Sequence, residues 1–327
     1  MKYINASRQG KAGFITLDRP EALNSLTHDM VVEFHSALLT HEADANVEVI
    51  VVRSSNARAF CAGGDMKTIR TLALDEKWQE IQQFFKKEYA LNLHIAQCSK
   101  PYVSLVNGVS MGGGLGLSVH GNALVVSETS MLAMPETAIG FFPDVGSTYF
   151  LNRLPDDAGK WLSISGTPVT GYQAVSAGLA THYVESAHWT TLVEALEKNG
   201  VAALESDLPD LTSSFDDAQF KQLSKHRSDW FHVATNNELI AKLEAACQNT
   251  VETPVSKDAA ALLKRLQSLS PYAMNLTRQL LEDARELDLA ACLQLEFSAT
   301  KQAVRHPDFL EGVRAVLVDK EPAIWNS

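Results

Sequence analysis

Two carboxylates stand eight residues apart in MPETAIGFFPDVGSTYF, residues 134–150, a stretch with almost no other charge. They are Glu136 and Asp144, and an isoleucine and two phenylalanines lie between them. A carboxylate held among such side chains is poorly solvated, and poor solvation raises its pKa. A carboxylate of this kind is a candidate acid or base for catalysis.

Each of the two acids also has a purely structural interpretation. Glu136 follows Pro135, and this pair could simply open a helix, with the glutamate at the positive end of the helix dipole. Asp144 follows Pro143 and could be the N-cap of a helix in VGSTYFLNRL. The apolar surroundings favour the catalytic interpretation.

Two glycine-rich turns each follow a predicted buried strand. The first, CAGGD, contains Gly63 and Gly64, and the second, NGVSMGGGLGL, contains the glycines 112–114. Each could be only a tight turn or a close helix contact. Together, their bare backbone N–H groups could converge on one oxygen and form an oxyanion hole.

Neither turn fits another known glycine motif. No Gly-Lys-Ser/Thr follows the triplet, and the spacing differs from the dinucleotide-binding fingerprint. The chain also lacks a Gly-x-Ser-x-Gly nucleophile elbow. If the chemistry is acyl transfer, a carboxylate must carry it.

The elements that would position these residues alternate between strand and helix in the first part of the chain. Strands are predicted over 11–20, 47–54 and 102–108, and a helix over 28–41 with Thr27 as N-cap. Beyond about residue 200 the pattern is mostly helical, with helices predicted at 217–232, 237–248, 257–269, 272–286, 288–305 and 308–318. We therefore predict an α/β core over residues 1–200 and a helical region over 201–327.

Composition limits the class of protein. The 327 residues carry a formal charge of −11, which argues against a nucleic-acid partner. The four cysteines are scattered and fit free thiols in a reducing compartment, not disulfides or a zinc site. The sequence shows no signal-peptide core and no membrane-spanning run, so we expect a cytoplasmic protein.

The motifs AFCAGGDM, NGVSMGGGLGLS and MPETAIGFFPDVGSTYFLNRL resemble the enoyl-CoA hydratase/isomerase (crotonase) superfamily. They are more similar to its 3-hydroxyisobutyryl-CoA hydrolase branch, as are PVTGYQAVSAGLATHYV and HPDFLEGVRAVLVDK. The resemblance covers nearly the whole chain. It implies a crotonase (ClpP/crotonase-like) spiral core of repeated ββα units with a helical C-terminal extension. The implied substrate is an acyl-CoA thioester, with no metal or redox cofactor.

The resemblance also implies roles for individual residues. The N–H groups of Gly64 and Gly113 would bind the thioester oxygen. The catalytic glutamate of the family falls on Glu136 and the aspartate of the branch on Asp144. A further substrate-binding glutamate falls on Glu88, which by its sequence context alone would be interpreted as an exposed charge on a helix.

One departure from the hydratases is informative. Those enzymes carry a second glutamate two residues after the glycine triplet, where this sequence has Gly116. Hydration needs two carboxylates, so Gly116 argues against it. The resemblance to the hydrolase branch implies hydrolysis of 3-hydroxyisobutyryl-CoA instead, as in valine breakdown. Double-bond isomerisation by Glu136 and Asp144 stays open, whereas the RNA-binding branch of the superfamily fits the acidic charge poorly.

The sequence leaves the route of hydrolysis open. Glu136 could attack the carbonyl and form an anhydride, or act as a base on water. Asp144 would orient the substrate 3-hydroxyl or share in proton transfer. A homo-oligomer is possible, since crotonases often form trimers.

Overall fold

The computed structural model describes residues 3–248 and 253–326, and within these ranges it contains two β-sheets. The strands, in chain order, are β1 (Ile4–Gln9), β2 (Ala12–Leu17), β3 (Val49–Ser54), β4 (Ala59–Cys61), β5 (Tyr102–Val106), β6 (Val109–Met111), β7 (Ala123–Val126), β8 (Met131–Ala133), β9 (Val169–Thr170) and β10 (His182–Tyr183).

The larger sheet has the order β1-β2-β3-β5-β7-β10. The hairpin of β1 and β2 is antiparallel, and the other neighbours pair in parallel. The smaller sheet has the order β4-β6-β8-β9, with β4 and β6 parallel and β8 and β9 antiparallel. Parallel strands joined by helices confirm the predicted α/β rhythm.

The larger sheet is buried because its central strands are apolar along their length. Val49, Ile50, Val51 and Val52 are all buried, as expected of a β-branched run covered on both faces. Alternate side chains of β2, β3, β5 and β7 form one core cluster with the helix Trp189–Asn199 and the short helices that follow it.

The α-helices, by their observed bounds, are His28–Ala43, Met66–Leu74, Trp78–Gln97, Gly113–Gly116, Ser147–Phe150, Ala158–Ser165, Gly171–Ser176, Trp189–Asn199, Ala202–Glu205, Asp207–Leu211, Ala218–Phe231, Asn236–Cys247, Pro254–Leu266, Pro271–Asp283, Leu289–Ala303 and Pro307–Gly312. The last of these continues as a π-helix over Val313–Asp319. Thr27 caps the first helix by accepting a hydrogen bond from the Met30 N–H, as predicted. Each helix predicted after residue 216 is present, with shifted ends.

The chain divides into two compact units that alternate along the sequence. The first unit comprises 1–65, 86–132 and 169–216, and the second comprises 66–85, 133–168 and 217–327. Both sheets belong to the first unit, apart from Ala133 at the end of β8. The second unit is helical in its described residues. The predicted boundary near residue 200 stays a prediction.

The four cysteines are free thiols, and Cys61 and Cys292 are buried. No helix within the described ranges has the length and hydropathy of a membrane-spanning segment.

Candidate active site

The first glycine turn is fixed in the first unit by a parallel bridge. Leu26 pairs with Gly64: the Leu26 N–H donates to Gly63 O at 2.8 Å, and the Asp65 N–H donates to Leu26 O at 2.9 Å. A parallel bridge uses the groups of the two flanking residues, so the N–H of Gly64 itself is directed away from Leu26. The turn therefore presents a backbone donor, as the oxyanion-hole assignment requires.

The second glycine turn lies beside the first. Gly113 begins a four-residue helix after β6, and the first N–H groups of a helix have no acceptor within it. A β-carbon on Gly113 would stand 3.3 Å from the Gly64 nitrogen and 2.6 Å from Glu88 Oε1. The structure thus brings Gly64, Gly113 and Glu88 together, and a β-carbon at position 113 would require the Glu88 carboxyl to move.

Glu88 is buried, with 2% of its surface exposed. It lies on the helix Trp78–Gln97, among residues of the first unit. The interpretation of Glu88 as an exposed helix charge is therefore wrong. Its charge also acts on the neighbouring Cys61, whose pKa is raised to about 12, mainly by burial. A thiol in that state is no nucleophile.

Glu136 opens a short 3₁₀ helix, Glu136–Ile139, in the second unit. Pro135 is its N-cap, so the predicted helix start is present as a single 3₁₀ turn. The turn closes at Gly140, and the Glu136 carbonyl accepts the N–H of Phe141 at 3.0 Å. This backbone holds the side chain of Glu136 in the interior.

The Glu136 carboxyl is buried, and its Oε2 has no hydrogen-bond partner among the described residues. Burial raises its pKa well above the usual range, and the charge of Asp144 raises it further. Phe141 and Phe142 follow Glu136 closely in the sequence, and their aromatic rings stack with centroids 4.5 Å apart. A buried carboxyl with an unused oxygen is expected where a substrate must bind.

Asp144 is also buried, and the helix that follows it does not use it as a cap. That helix, Ser147–Phe150, has Gly146 at its N-cap and no side-chain hydrogen bond there. The N-cap interpretation of Asp144 is therefore wrong. Between the aspartate and the helix, Val145 has φ +57° and Gly146 has φ +82°, so the backbone turns through the left-handed region.

A third buried carboxyl, Glu296, contacts this turn from the helix Leu289–Ala303. Its Oε2 accepts the Gly146 N–H at 2.7 Å. Its Oε1 accepts the N–H and the hydroxyl of Thr148 at 2.9 and 2.7 Å. Burial raises the pKa of Glu296 to about 8, and the charge of Asp144 adds to the rise, whereas these hydrogen bonds oppose it.

The C-terminal helices also support the turn that carries Glu136. The Ser270 N–H donates to Thr137 O at 3.1 Å, and the Ser270 hydroxyl donates to Asp308 Oδ2 at 2.6 Å. A β-carbon on Gly312 would stand 2.5 Å from the Ile139 carbonyl carbon, so the helix Pro307–Gly312 touches the turn directly.

The predicted residues therefore fall into two groups. Gly64, Gly113 and Glu88 lie together in the first unit, and Glu136 and Asp144 lie close together in the second. Sequence patterns did not point to Glu296. The described residues contain no cluster of three or more histidine, cysteine, aspartate or glutamate side chains arranged to hold a metal ion.

Comparison with known proteins identifies the family of the chain. The sequence profile of the enoyl-CoA hydratase/isomerase family matches residues 12–327. A Danio rerio protein named 3-hydroxyisobutyryl-CoA hydrolase, mitochondrial, is 38% identical over 319 residues, which is 95% of this chain and 81% of that protein.

Two solved structures are similar along the whole chain. A carnitinyl-CoA dehydratase from Mycobacterium thermoresistibile has a TM-score of 0.89 at 33% identity, covering 98% of this chain and 91% of its own. An enoyl-CoA hydratase from Rhodobacter sphaeroides 2.4.1 has a TM-score of 0.88 at 36% identity, covering 100% and 93%. The predicted crotonase fold class is confirmed. The chain belongs to the enoyl-CoA hydratase/isomerase family.

Proposed function

We propose that this protein hydrolyses the CoA thioester of a short 3-hydroxy acid, with 3-hydroxyisobutyryl-CoA as substrate and 3-hydroxyisobutyrate and CoA as products. The observation that carries the proposal is the pair of buried acids, Glu136 and Asp144, whose charges interact. Glu136 Oε2 has no hydrogen-bond partner among the described residues. The name of the Danio rerio relative supports the choice of substrate.

The first step is polarisation of the thioester carbonyl. We assign its oxygen to the N–H groups of Gly64 and Gly113. These donors stabilise the negative charge that develops as the carbon becomes tetrahedral, and a single donor of this kind contributes about 3–4 kcal/mol in other enzymes. Both belong to the backbone, so they need no reorganisation during the reaction.

Glu136 then acts in one of two ways. As a nucleophile, a carboxylate oxygen bonds to the carbonyl carbon, the C–S bond breaks, and CoA leaves as the thiolate; water then cleaves the acyl-glutamyl anhydride. As a base, it takes a proton from a water that attacks the same carbon. In both routes water supplies the new hydroxyl of the acid product and CoA takes up a proton.

Asp144 and Glu88 are proposed to bind the substrate. Asp144 would accept a hydrogen bond from the substrate 3-hydroxyl or share in proton transfer with Glu136. Glu88 would line the substrate site beside Gly113, because its Oε1 lies 2.6 Å from the position of a β-carbon there. The acyl-CoA is the substrate, and the proposed reaction requires no other cofactor.

Hydration is the alternative function, because the two similar solved structures are of an enoyl-CoA hydratase and a carnitinyl-CoA dehydratase. Gly116 argues against it. This residue is buried in the helix Gly113–Gly116 and supplies no carboxylate where a hydratase has its second glutamate. Double-bond isomerisation by Glu136 and Asp144 would release no thiol.

The test is free-thiol release, followed with a coloured thiol reagent. The substrates are 3-hydroxyisobutyryl-CoA, 3-hydroxypropionyl-CoA and crotonyl-CoA. We expect thiol release from the two 3-hydroxyacyl thioesters. Loss of crotonyl-CoA absorbance without thiol release would show a hydratase and overturn the proposal. A product with a shifted double bond would show an isomerase.

Oligomeric state and location stay predictions. The expectation of a cytoplasmic protein comes from the sequence, whereas the Danio rerio relative is named as mitochondrial.

A further inference from the structure

The segment that carries Asp144 is held in an unusual backbone conformation. Val145 has φ +57°, a value that β-branched residues rarely adopt. Gly146 follows with φ +82°, so two successive residues are left-handed. Such a conformation persists only where the surroundings impose it, and it often occurs at functional sites.

Ser147 makes two local hydrogen bonds within the turn. The Ser147 N–H donates to Asp144 O at 2.9 Å, and the Ser147 hydroxyl donates to Pro143 O at 2.5 Å. Neither bond involves the amide of Gly146, the second left-handed residue. That amide is instead satisfied by Glu296, which is 150 residues further along the chain.

Glu296 holds the turn at two points. One carboxyl oxygen accepts the Gly146 N–H, and the other accepts both donors of Thr148. The glutamate is fully buried on its helix, so water does not compete for these bonds. A rigid three-bond contact from a separate helix fixes where the turn lies and therefore where Asp144 lies.

We infer that Glu296 is a positioning residue for Asp144: its carboxyl group fixes the left-handed turn at Val145 and Gly146 and so sets the aspartate beside Glu136. The inference rests on the proposed function, in which Asp144 binds the substrate. Asp144 is close enough to act electrostatically on both Glu136 and Glu296. In the proposed mechanism, Glu296 itself does not contact the substrate.

The kinetic test compares Glu296→Ala and Glu296→Gln with the wild type. Misplacement of a catalytic group by about 1 Å can lower a rate about 10²-fold, so we expect a fall of that order in kcat for Glu296→Ala. Glu296→Gln should lose less, because its carbonyl oxygen can still accept from Thr148. KM should also rise, because a displaced Asp144 loses its proposed hydrogen bond to the substrate 3-hydroxyl, although Glu296 itself does not touch the substrate.

Thr300→Val is the matched control. Thr300 is buried one turn further along the same helix, and its hydroxyl donates only within that helix, to Phe297 O. If Glu296 had only a structural role, its variants would lose activity only in proportion to the fraction unfolded, as the control would. Wild-type kcat in folded Glu296→Ala would overturn the inference.

A double-mutant cycle separates action through Asp144 from independent action. In an Asp144→Asn background, adding Glu296→Ala should lower kcat by less than about threefold, because the group being positioned is already lost. A full second loss of about 10²-fold would overturn the inference.

A crystal structure of Glu296→Gln, or of Glu296→Ala if it folds, gives a readout that needs no activity. We expect Val145 to leave the left-handed region and the Asp144 carboxyl to move. An unchanged turn would overturn the inference. If the wild type releases no thiol from the 3-hydroxyacyl thioesters, the proposed function fails, and this structure still decides whether Glu296 positions Asp144.

Discussion

Glu88 occupies the space in which a side chain at Gly113 would have to lie: Glu88 Oε1 is 2.6 Å from the position of a β-carbon on Gly113. Leu26 Cδ1 at 3.2 Å and the Gly64 nitrogen at 3.3 Å close the same space. The absence of a side chain at position 113 thus leaves room for the Glu88 carboxyl beside the backbone of Gly64.

Gly113→Ala tests the role of this contact. In Gly113→Ala, the new methyl displaces the Glu88 carboxyl and lies in tight contact with the Gly64 nitrogen, so we expect the two N–H groups to be displaced from a shared oxygen. Loss of one oxyanion donor typically lowers kcat about 10²–10³-fold, and we expect a loss of about 10²-fold. Thiol release measures it, and circular dichroism checks folding. A folded variant with wild-type kcat would refute the oxyanion-hole assignment.

Glu136→Gln tests the acid that we place at the reaction centre. The amide can neither attack a carbonyl nor take a proton from water, so we expect kcat to fall about 10²–10⁴-fold. Stability near pH 8 should not decrease, because the buried carboxylate is costly to ionise. Glu282→Gln is the control, since that side chain is 66% exposed, and it should keep its activity within twofold. Turnover retained in Glu136→Gln would remove the residue from the mechanism.

Asp144→Asn should change the pH dependence of the remaining activity. The Asp144 charge is the second cause, after burial, of the raised pKa of Glu136. Removing that charge lowers the pKa, so the acid limb of the kcat/KM profile should move to lower pH. The profile is measured on wild type and variant with the same thioester. An acid limb that stays in place would show that Glu136 and Asp144 do not interact in the free enzyme.

Local signals predicted much of the fold. The β-branched run of Val49–Ser54 and the Thr27 cap are both decided by residues adjacent in sequence, and both are confirmed. The strand Ile4–Gln9 was not predicted, because it lies at a sheet edge with five of its six residues exposed and has no apolar alternation. A pattern of apolar residues indicates which segments are buried, so it does not predict a strand whose side chains are mostly exposed.

The candidate site was less predictable than the fold. Glu296 reaches the Asp144 turn across 150 residues of chain, and no local pattern encodes such a contact. One signal was present: Cys292, Leu293, Glu296, Thr300 and Ala303 form the buried face of one helix. A glutamate at a core position of an amphipathic helix indicates a buried partner, although not which one.

The stability of the protein should depend on the ionisation of Glu296. Its pKa in the folded state is about 8, above the value of about 4.3 for an unfolded glutamate. The folded state therefore binds more protons between these values. The contribution of Glu296 to the free energy of unfolding is fully present below about pH 4. It decreases as the pH rises through 8, by at most about 1.4 kcal/mol per pH unit.

Urea unfolding of wild type and Glu296→Gln at pH 5, 6, 7 and 8 checks this dependence. The free energy of unfolding should fall less steeply with pH in the variant, because the amide does not titrate. Glu136 contributes a slope of the same sign, so some dependence should persist. Parallel curves for the two proteins would show that Glu296 does not titrate in this range.

Gly312→Ala tests whether the C-terminal helices set the position of Glu136. Gly312 has ordinary helical torsions, so alanine strains no backbone there, but its β-carbon would stand 2.5 Å from Ile139. The helix Pro307–Gly312 must then move away from the turn Glu136–Ile139. We expect a loss of about 1–3 kcal/mol in the free energy of unfolding, as for other overpacked sites.

The decisive result for Gly312→Ala is kinetic. If the helix positions Glu136, kcat should fall more than the unfolded fraction explains, at a temperature where the variant is folded. Val318→Ala is the control, because Val318 lies in the same C-terminal segment and is 50% exposed. A variant that loses stability but keeps wild-type kcat would limit the C-terminal helices to a stabilising role.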